Sequence, residues 1–277
     1  MQEVMSLDGK TIVVTGAAQG IGQAVTNLAI ALGGRVVGVD LNGDKLNAFA
    51  ATTNGRMLPY VGNVADPDFT EATVRHVAAR VGAIDGLVNN AGITRPAMIE
   101  KMTLQQWSEV ISVHLTGAFL WTQAVGRILL AQGKAGRDNP GAIVNISSIA
   151  ARTGIGSSLA YLAAKAGVDQ LARVLALEWG PAGVRVNVIS PGPIAGTEGM
   201  KRLAPQGETG DALVRAMVPL GRMGTPGDIA NLAQFLGSDA AAYVSGAVIA
   251  CDGGAQNMLT PMITAAVEQL KADASKP

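Results

Sequence analysis

Thr11-Ile12-Val13-Val14-Thr15-Gly16-Ala17-Ala18-Gln19-Gly20-Ile21-Gly22 decides the fold. A β-branched run enters a glycine-rich turn, and a helical pattern over Gly20–Leu32 leaves it. Glycines at such a turn let the backbone approach a pyrophosphate closely and aim the helix N-terminus at its charge. The spacing is Gly-x-x-x-Gly-x-Gly, carried by Gly16, Gly20 and Gly22. A glycine-rich turn taken alone is often nothing more than a turn. Here the context is present on both sides: an apolar strand before, a helix after, and an acid, Asp40, ending the next strand.

Outward from that turn, short apolar runs alternate with longer helical patterns. The runs are Thr11–Thr15, Arg35–Asp40, Met57–Val61, Gly86–Asn89, Ala142–Ser147, Val184–Ile189 and Ala247–Ala250. Each is nearly continuous in apolar residues, so each is expected to be a parallel strand covered on both faces. Helices are expected near Gly20–Leu32, Asp44–Ala51, Asp68–Val81, Leu104–Leu130, Ser158–Trp179 and Pro226–Leu236. The alternation predicts an α/β fold: one Rossmann-like domain over 1–277, a doubly wound parallel sheet of about seven strands with helices on both faces. No internal boundary or repeat stands out, and Lys134–Pro140 reads as a polar turn. Gly192–Gly210 is rich in glycine and proline and is the candidate mobile loop, within a substrate loop at about 192–215. The extension at 259–277 is compatible with one more short helix or with a frayed end.

Composition narrows the function classes. Lys+Arg and Asp+Glu both number 21, so no general attraction to polyanions, and no nucleic-acid partner, is expected. The single cysteine, Cys251, excludes an internal disulfide and reads as a core residue near a strand end. Met1–Lys10 lacks a basic segment followed by an apolar run, and no apolar stretch approaches the ~18–20 residues that span a bilayer. A soluble cytoplasmic protein without a metal site or membrane partner is expected.

Two further features carry chemistry. A carboxylate at Asp40 can accept hydrogen bonds from both hydroxyls of an adenosine ribose and would repel a 2′-phosphate. No basic residue lies within Ala17–Gln19, and Leu41 follows Asp40, so no replacement anion site is evident and NAD(H) is expected over NADP(H). Tyr161-Leu162-Ala163-Ala164-Lys165 places a phenol and an ammonium on one helix face. A nearby cation favours the phenolate, which would draw the tyrosine toward neutrality and suit it to acid–base work between an alcohol and a carbonyl.

Together these residues resemble the short-chain dehydrogenase/reductase family, over essentially Leu7–Gly254. Asn89-Asn90-Ala91-Gly92 is similar to its motif after the fourth strand, and Ser148 lies at its catalytic-serine position after Asn145-Ile146-Ser147. Pro191-Gly192 is similar to its turn beside the nicotinamide. The resemblance implies that Tyr161 exchanges the substrate proton. Lys165 would hold the nicotinamide ribose and lower the tyrosine pKa, and Ser148 would bond the substrate oxygen. Cofactor contacts are implied for Gly16, Gln19, Gly20, Ile21, Gly22, Asp40, Leu41, Asn63, Val64, Asn90, Ala91, Gly92, Tyr161, Lys165, Pro191, Gly192, Ile194 and Thr197. Asn63 stands where many relatives carry aspartate, and Asn89 is expected mainly to tie neighbouring strands.

His114 is the larger departure, since many members carry asparagine there as a fourth catalytic residue. That asparagine supports a relay water through its main-chain carbonyl, which a histidine also offers. One reading is a variant with no new chemistry; the other has His114 titrating in the relay near neutrality. For the substrate, Ile93, Met98, Ile149, Ile155 and Met200 suggest an apolar cleft, with Arg95, Arg152, Lys201 and Arg202 as candidate cations. The main reading is an NAD-dependent oxidoreductase acting on a small alcohol or ketone, and the alternative is a 3-oxoacyl-thioester reductase. A non-enzyme alternative, a dinucleotide-binding sensor or scaffold, leaves Ser148, Tyr161 and Lys165 unexplained. The resemblance also implies a homotetramer, paired through the helix carrying Tyr161 and the helix before the last strand.

Overall fold

A computed structural model describes residues 2–203 and 214–258; of 2, 3 and 201–203 only the backbone is described. Residues 204–213 of the expected substrate loop and the 259–277 extension lie outside these. The strands are β1 (Thr11–Thr15), β2 (Arg35–Asp40), β3 (Met57–Val61), β4 (Gly86–Asn89), β5 (Ala142–Ile146), β6 (Arg185–Pro191) and β7 (Val248–Cys251). They form one parallel sheet in the order β3-β2-β1-β4-β5-β6-β7. The order reverses between β1 and β4, and ligands of such sheets bind outside the strand ends at that crevice.

The helices are α1 (Gln2–Met5), α2 (Gly20–Ala31), α3 (Gly43–Ala51), α4 (Pro67–Val81), α5 (Leu104–Ile111), α6 (Gly117–Lys134), α7 (Leu159–Trp179), α8 (Glu198–Leu203) and α9 (Pro226–Gly237). Their ends follow local chemistry. Asp66 caps α4 by accepting from the Asp68 and Phe69 amides, and Pro67 follows it in the first turn. Thr225 and Asp228 form a reciprocal capping box on α9.

Two cores flank the sheet, as the two-residue period of a strand requires. Ile12, Val14, Val144 and Ile189 face one way, with Val25 and Ala29 of α2 and Ile229, Ala233 and Leu236 of α9. Val13, Val37, Leu87, Ile143 and Val186 face the other, with Val77 of α4 and Trp121, Val125 and Leu129 of α6. Each such aliphatic side chain contributes about 1.5–3 kcal/mol on full burial.

Two sequence expectations are corrected. Met57–Val61 is a strand but is not covered on both faces: Pro59 and Val61 are exposed, because β3 is a sheet edge, where a proline without an amide proton is tolerated. The single helix expected over Leu104–Leu130 is divided by a π-helical segment, Ser112–Thr116, where the Gly117 amide donates to the Ser112 carbonyl. His114, within that segment, is 5% exposed.

Candidate active site

The C-terminal ends of β1, β4, β5 and β6 border the crevice, while Asp40 and Leu41 lie at the end of β2 and Asn63 and Val64 follow β3. At the dinucleotide end of the crevice, the Gly16 and Ala17 amides donate to the Val39 carbonyl (2.7 and 3.1 Å), fixing the turn against β2. Gln19 is the N-cap of α2 but gives no side-chain cap, so the first amides of that helix are left to an external acceptor. Gly20 has φ +58°, and a Cβ there would meet only Thr197 Cγ2 at 4.0 Å, so the turn borders open space. Uncapped amides, a left-handed glycine and open space beside it suit a pyrophosphate. Pro191 and Ile194 are buried at the end of β6, and Thr197 Oγ1 donates to the Ile194 carbonyl at 2.8 Å.

Asp40 lies beside this turn. Its Oδ2 accepts from the Ala18 amide (3.0 Å) and its Oδ1 from the Asn42 amide (2.9 Å). Leu41 is largely exposed, a free apolar surface next to the carboxylate. Lys45, from the first turn of α3, donates to Gln19 Oε1 at 2.8 Å. Sequence reasoning missed this cation, which reaches the turn from outside Ala17–Gln19. A residue pointing back from the next helix gives no signal in local spacing.

The Asn90 side chain turns toward the backbone, donating to the Thr15 and Gly16 carbonyls (3.0 and 3.1 Å). Thr15 Oγ1 accepts from the Asn90 and Ala91 amides, joining β1 to the end of β4. Asn89 Nδ2 donates to Thr122 Oγ1 and Asn145 Oδ1, both at 2.9 Å, which is the expected strand-tying role. Asn63 is exposed and caps the Ala65 amide, while Val64 is buried in the core.

At the other end of the crevice the ionisable groups are packed together. Ser148 follows β5 on the side of Tyr161, and its Oγ accepts from the Ala150 amide at 3.2 Å. Ser147 points away, its Oγ donating to the Lys165 carbonyl. Lys165 Nζ lies 5.7 Å from the Tyr161 ring centroid and donates to the Ile146 carbonyl at 2.6 Å. Burial lowers the Lys165 pKa to about 8, while the Asp169 carboxylate opposes that shift. Burial pushes the Tyr161 phenol up, and the Ser148 side chain only partly offsets this. The expected draw of Tyr161 toward neutrality is therefore corrected: in this packing, burial dominates and raises the phenol.

Of the two readings of His114, the packing favours the variant with no new chemistry. The His114 Nε2 lies 2.7 Å from the Ile93 carbonyl and 3.0 Å from the Ile93 amide, and its ring meets Tyr161 edge-on at 5.2 Å. Burial first, and then the Lys165 charge, lower its pKa to about 3. Both effects favour the neutral imidazole. Gly92 makes room for the ring, because a Cβ there would lie 2.4 Å from His114 Cε1.

A small pocket beside Tyr161 is lined by Thr94, Arg95, Pro96, Val110, Ser157 and Ser158. The surface it presents is mainly apolar, with the Ser157 and Ser158 hydroxyls contributing little of it. Arg95 is held by Glu109 (2.8 Å) and Arg152 lies 4.0 Å from Asp169. The Lys201 and Arg202 side chains lie outside the described structure. Among the described residues no cluster of His, Cys, Asp and Glu could hold a metal, and no helix is long and apolar enough to cross a membrane.

Comparison with known proteins gives consistent relatives. The family model described as "Enoyl-(Acyl carrier protein) reductase" matches residues 16–256. A D-threitol dehydrogenase of Mycolicibacterium smegmatis is 44% identical over 251 residues, 90% of this chain and 93% of that protein. A 3-oxoacyl-(acyl-carrier-protein) reductase of Thermotoga maritima is 39% identical, covering 90% of this chain and 99% of its own. The crystal structure of a short-chain type dehydrogenase/reductase from Mycobacterium marinum superposes with a TM-score of 0.82 at 31% identity, over 91% of this chain and 98% of that one.

Proposed function

Because the chain belongs to the short-chain dehydrogenase/reductase family of oxidoreductases, we propose that it interconverts a small secondary alcohol and its ketone with NAD(H), Tyr161 being the proton-transferring residue. The observation that carries this reading is the packing of Ser148, Tyr161 and Lys165 at one end of the crevice, facing the glycine turn across the strand ends. The nicotinamide dinucleotide that this family binds supplies or accepts the hydride. Gly16, Gly20, Gly22 and the α2 amides would hold its pyrophosphate, Asp40 its adenosine ribose, and Pro191, Gly192, Ile194 and Thr197 the far end.

The chain's own groups do the rest. Ser148 and Tyr161 bond the substrate oxygen. A phenol whose pKa is raised keeps its proton at neutral pH and is ready to give it to the oxygen of a ketone. Lys165, mostly protonated below about 8, offsets the negative charge left on Tyr161. His114 holds the Ile93 backbone and the Tyr161 ring in place.

The similarity to a threitol dehydrogenase supports a polyhydroxy alcohol of a few carbons. The similarity to 3-oxoacyl-(acyl-carrier-protein) reductases supports the alternative, a 3-oxoacyl thioester. Following NADH absorbance over tetritols, pentitols, simple ketones and acetoacetyl-CoA, with Tyr161→Phe as control, separates the two. Turnover of acetoacetyl-CoA alone would replace the alcohol reading, and no turnover on any of them would return the sensor reading. Preference for NAD rests on the Asp40 carboxylate; equal efficiency with NADPH would remove it. Homotetramer formation is supported by the exposed Val174 and Leu177 on α7, and sedimentation would check it.

A further inference from the structure

We propose that Asp169 is a positioning residue of the reacting end, a buried carboxylate that keeps the neighbouring Lys165 charged. This rests on the reading of Tyr161 and Lys165 given above. Tyr161, Lys165 and Asp169 follow one another at four-residue steps on α7, so they form one stripe along the helix, with about 5–6 Å between successive Cβ atoms. Asp169 is 3% exposed and its Oδ1 has no hydrogen-bond partner. Oδ2 faces Arg152 Nε at 4.0 Å, too long for a hydrogen bond, and the Arg152 side chain is 45% exposed. A surface arginine at that distance does not balance the cost of burying a carboxylate. The buried Lys165 ammonium one turn away is not in ion-pair contact with it but feels its charge.

The other groups around Lys165 do not supply that field. On its own helix Tyr161 is neutral at working pH. From the π segment, His114 is neutral as well. From the turn after Ser148, Arg152 is positive and would oppose a charged lysine. On α5, Glu109 is engaged by Arg95. The end of β5 offers the Ile146 carbonyl. Burial alone drives Lys165 toward the neutral amine, and Asp169 resists that shift.

The test is a titration of the full chain labelled with ¹³Cε-lysine, the Lys165 resonance being identified by its loss in Lys165→Met. In the wild type it is expected to titrate near pH 8. In Asp169→Asn its midpoint should fall by about one pH unit or more, and Asp169→Glu should restore most of it. If Asp169→Asn fails to fold, Asp169→Ser takes its place with the same expected shift. A midpoint unchanged in the uncharged variants overturns the proposal, as does an equal fall in Asp169→Glu, which would assign the effect to packing. The titration needs no turnover. A chain inactive on every alcohol and ketone would therefore sink the functional reading while this result stood or fell separately.

Discussion

The two ends of the crevice are built on opposite principles. At the dinucleotide end the working groups are main-chain amides and a left-handed glycine, solvent is near, and Asp40 and Lys45 sit at partly or largely exposed positions. At the reacting end they are side chains taken out of water. Tyr161 is pushed up, Lys165 is held down to about 8, and His114 is held down to about 3. A backbone cradle binds a charge that arrives with its ligand and needs little from its surroundings. A buried proton-transfer site depends on every neighbour, since each change in desolvation or charge moves a protonation equilibrium. Single substitutions should therefore cost more at the reacting end.

Tyr161→Phe should show the largest effect. Removing one positioned acid–base group costs about 10²–10⁴-fold in rate, while NADH affinity measured by fluorescence should stay within about twofold. Loss of both together would show that the two ends are not separable.

His114→Asn comes next, and its readout is stability against pH. A histidine with pKa about 3 when folded and about 6.5 when unfolded favours its neutral form in the fold. Its contribution is complete above pH 6.5 and is lost as pH falls toward 3. At pH 4 the cost is about 3 kcal/mol by linkage. Chemical denaturation at pH 4 and 7.5 should therefore show the wild type losing about that much more than the variant. The pH profile of turnover near neutrality should not move. Equal pH sensitivity in the two proteins would mean that the imidazole is not held neutral by burial.

These two residues also show how far the sequence could be read. Tyr161, Lys165 and Ser148 were legible because helix and strand periods place them on one face or at one strand end, and strands β1 to β4 followed from apolar runs bounded by turns. The protonation states were not legible. They depend on desolvation by Val113, Trp121 and Val168 around a cavity assembled from distant segments. The π-helical segment at Ser112–Thr116 was not legible either, because apolar periodicity does not register a local change in the hydrogen-bond step. Lys45 was missed because it lies on one helix and acts on the cap of another.

Gly20→Val tests the cradle itself. A β-branched residue at φ +58° costs about 1–3 kcal/mol, so NADH affinity should weaken about ten- to a hundredfold. Tyr161 and Lys165 are remote from the change, and the Lys165 titration should be unaltered. Unchanged affinity would mean that the turn does not carry the dinucleotide.

Lys45→Ala should have the smallest effect and sharpens the comparison most. Its ammonium holds the Gln19 side chain at the cap of α2 and adds positive charge where a pyrophosphate would lie. The contact is exposed, and exposed charged contacts are worth about 0.2–1 kcal/mol. NADH affinity should therefore fall about two- to fivefold at low ionic strength. At 1 M salt the Debye length shrinks to about 3 Å, and the difference from wild type should close. A loss above tenfold, or one that persists in high salt, would place a side-chain charge on a par with the backbone amides. The dinucleotide end would then rest on the same kind of interaction as the reacting end, and the contrast between them would fail.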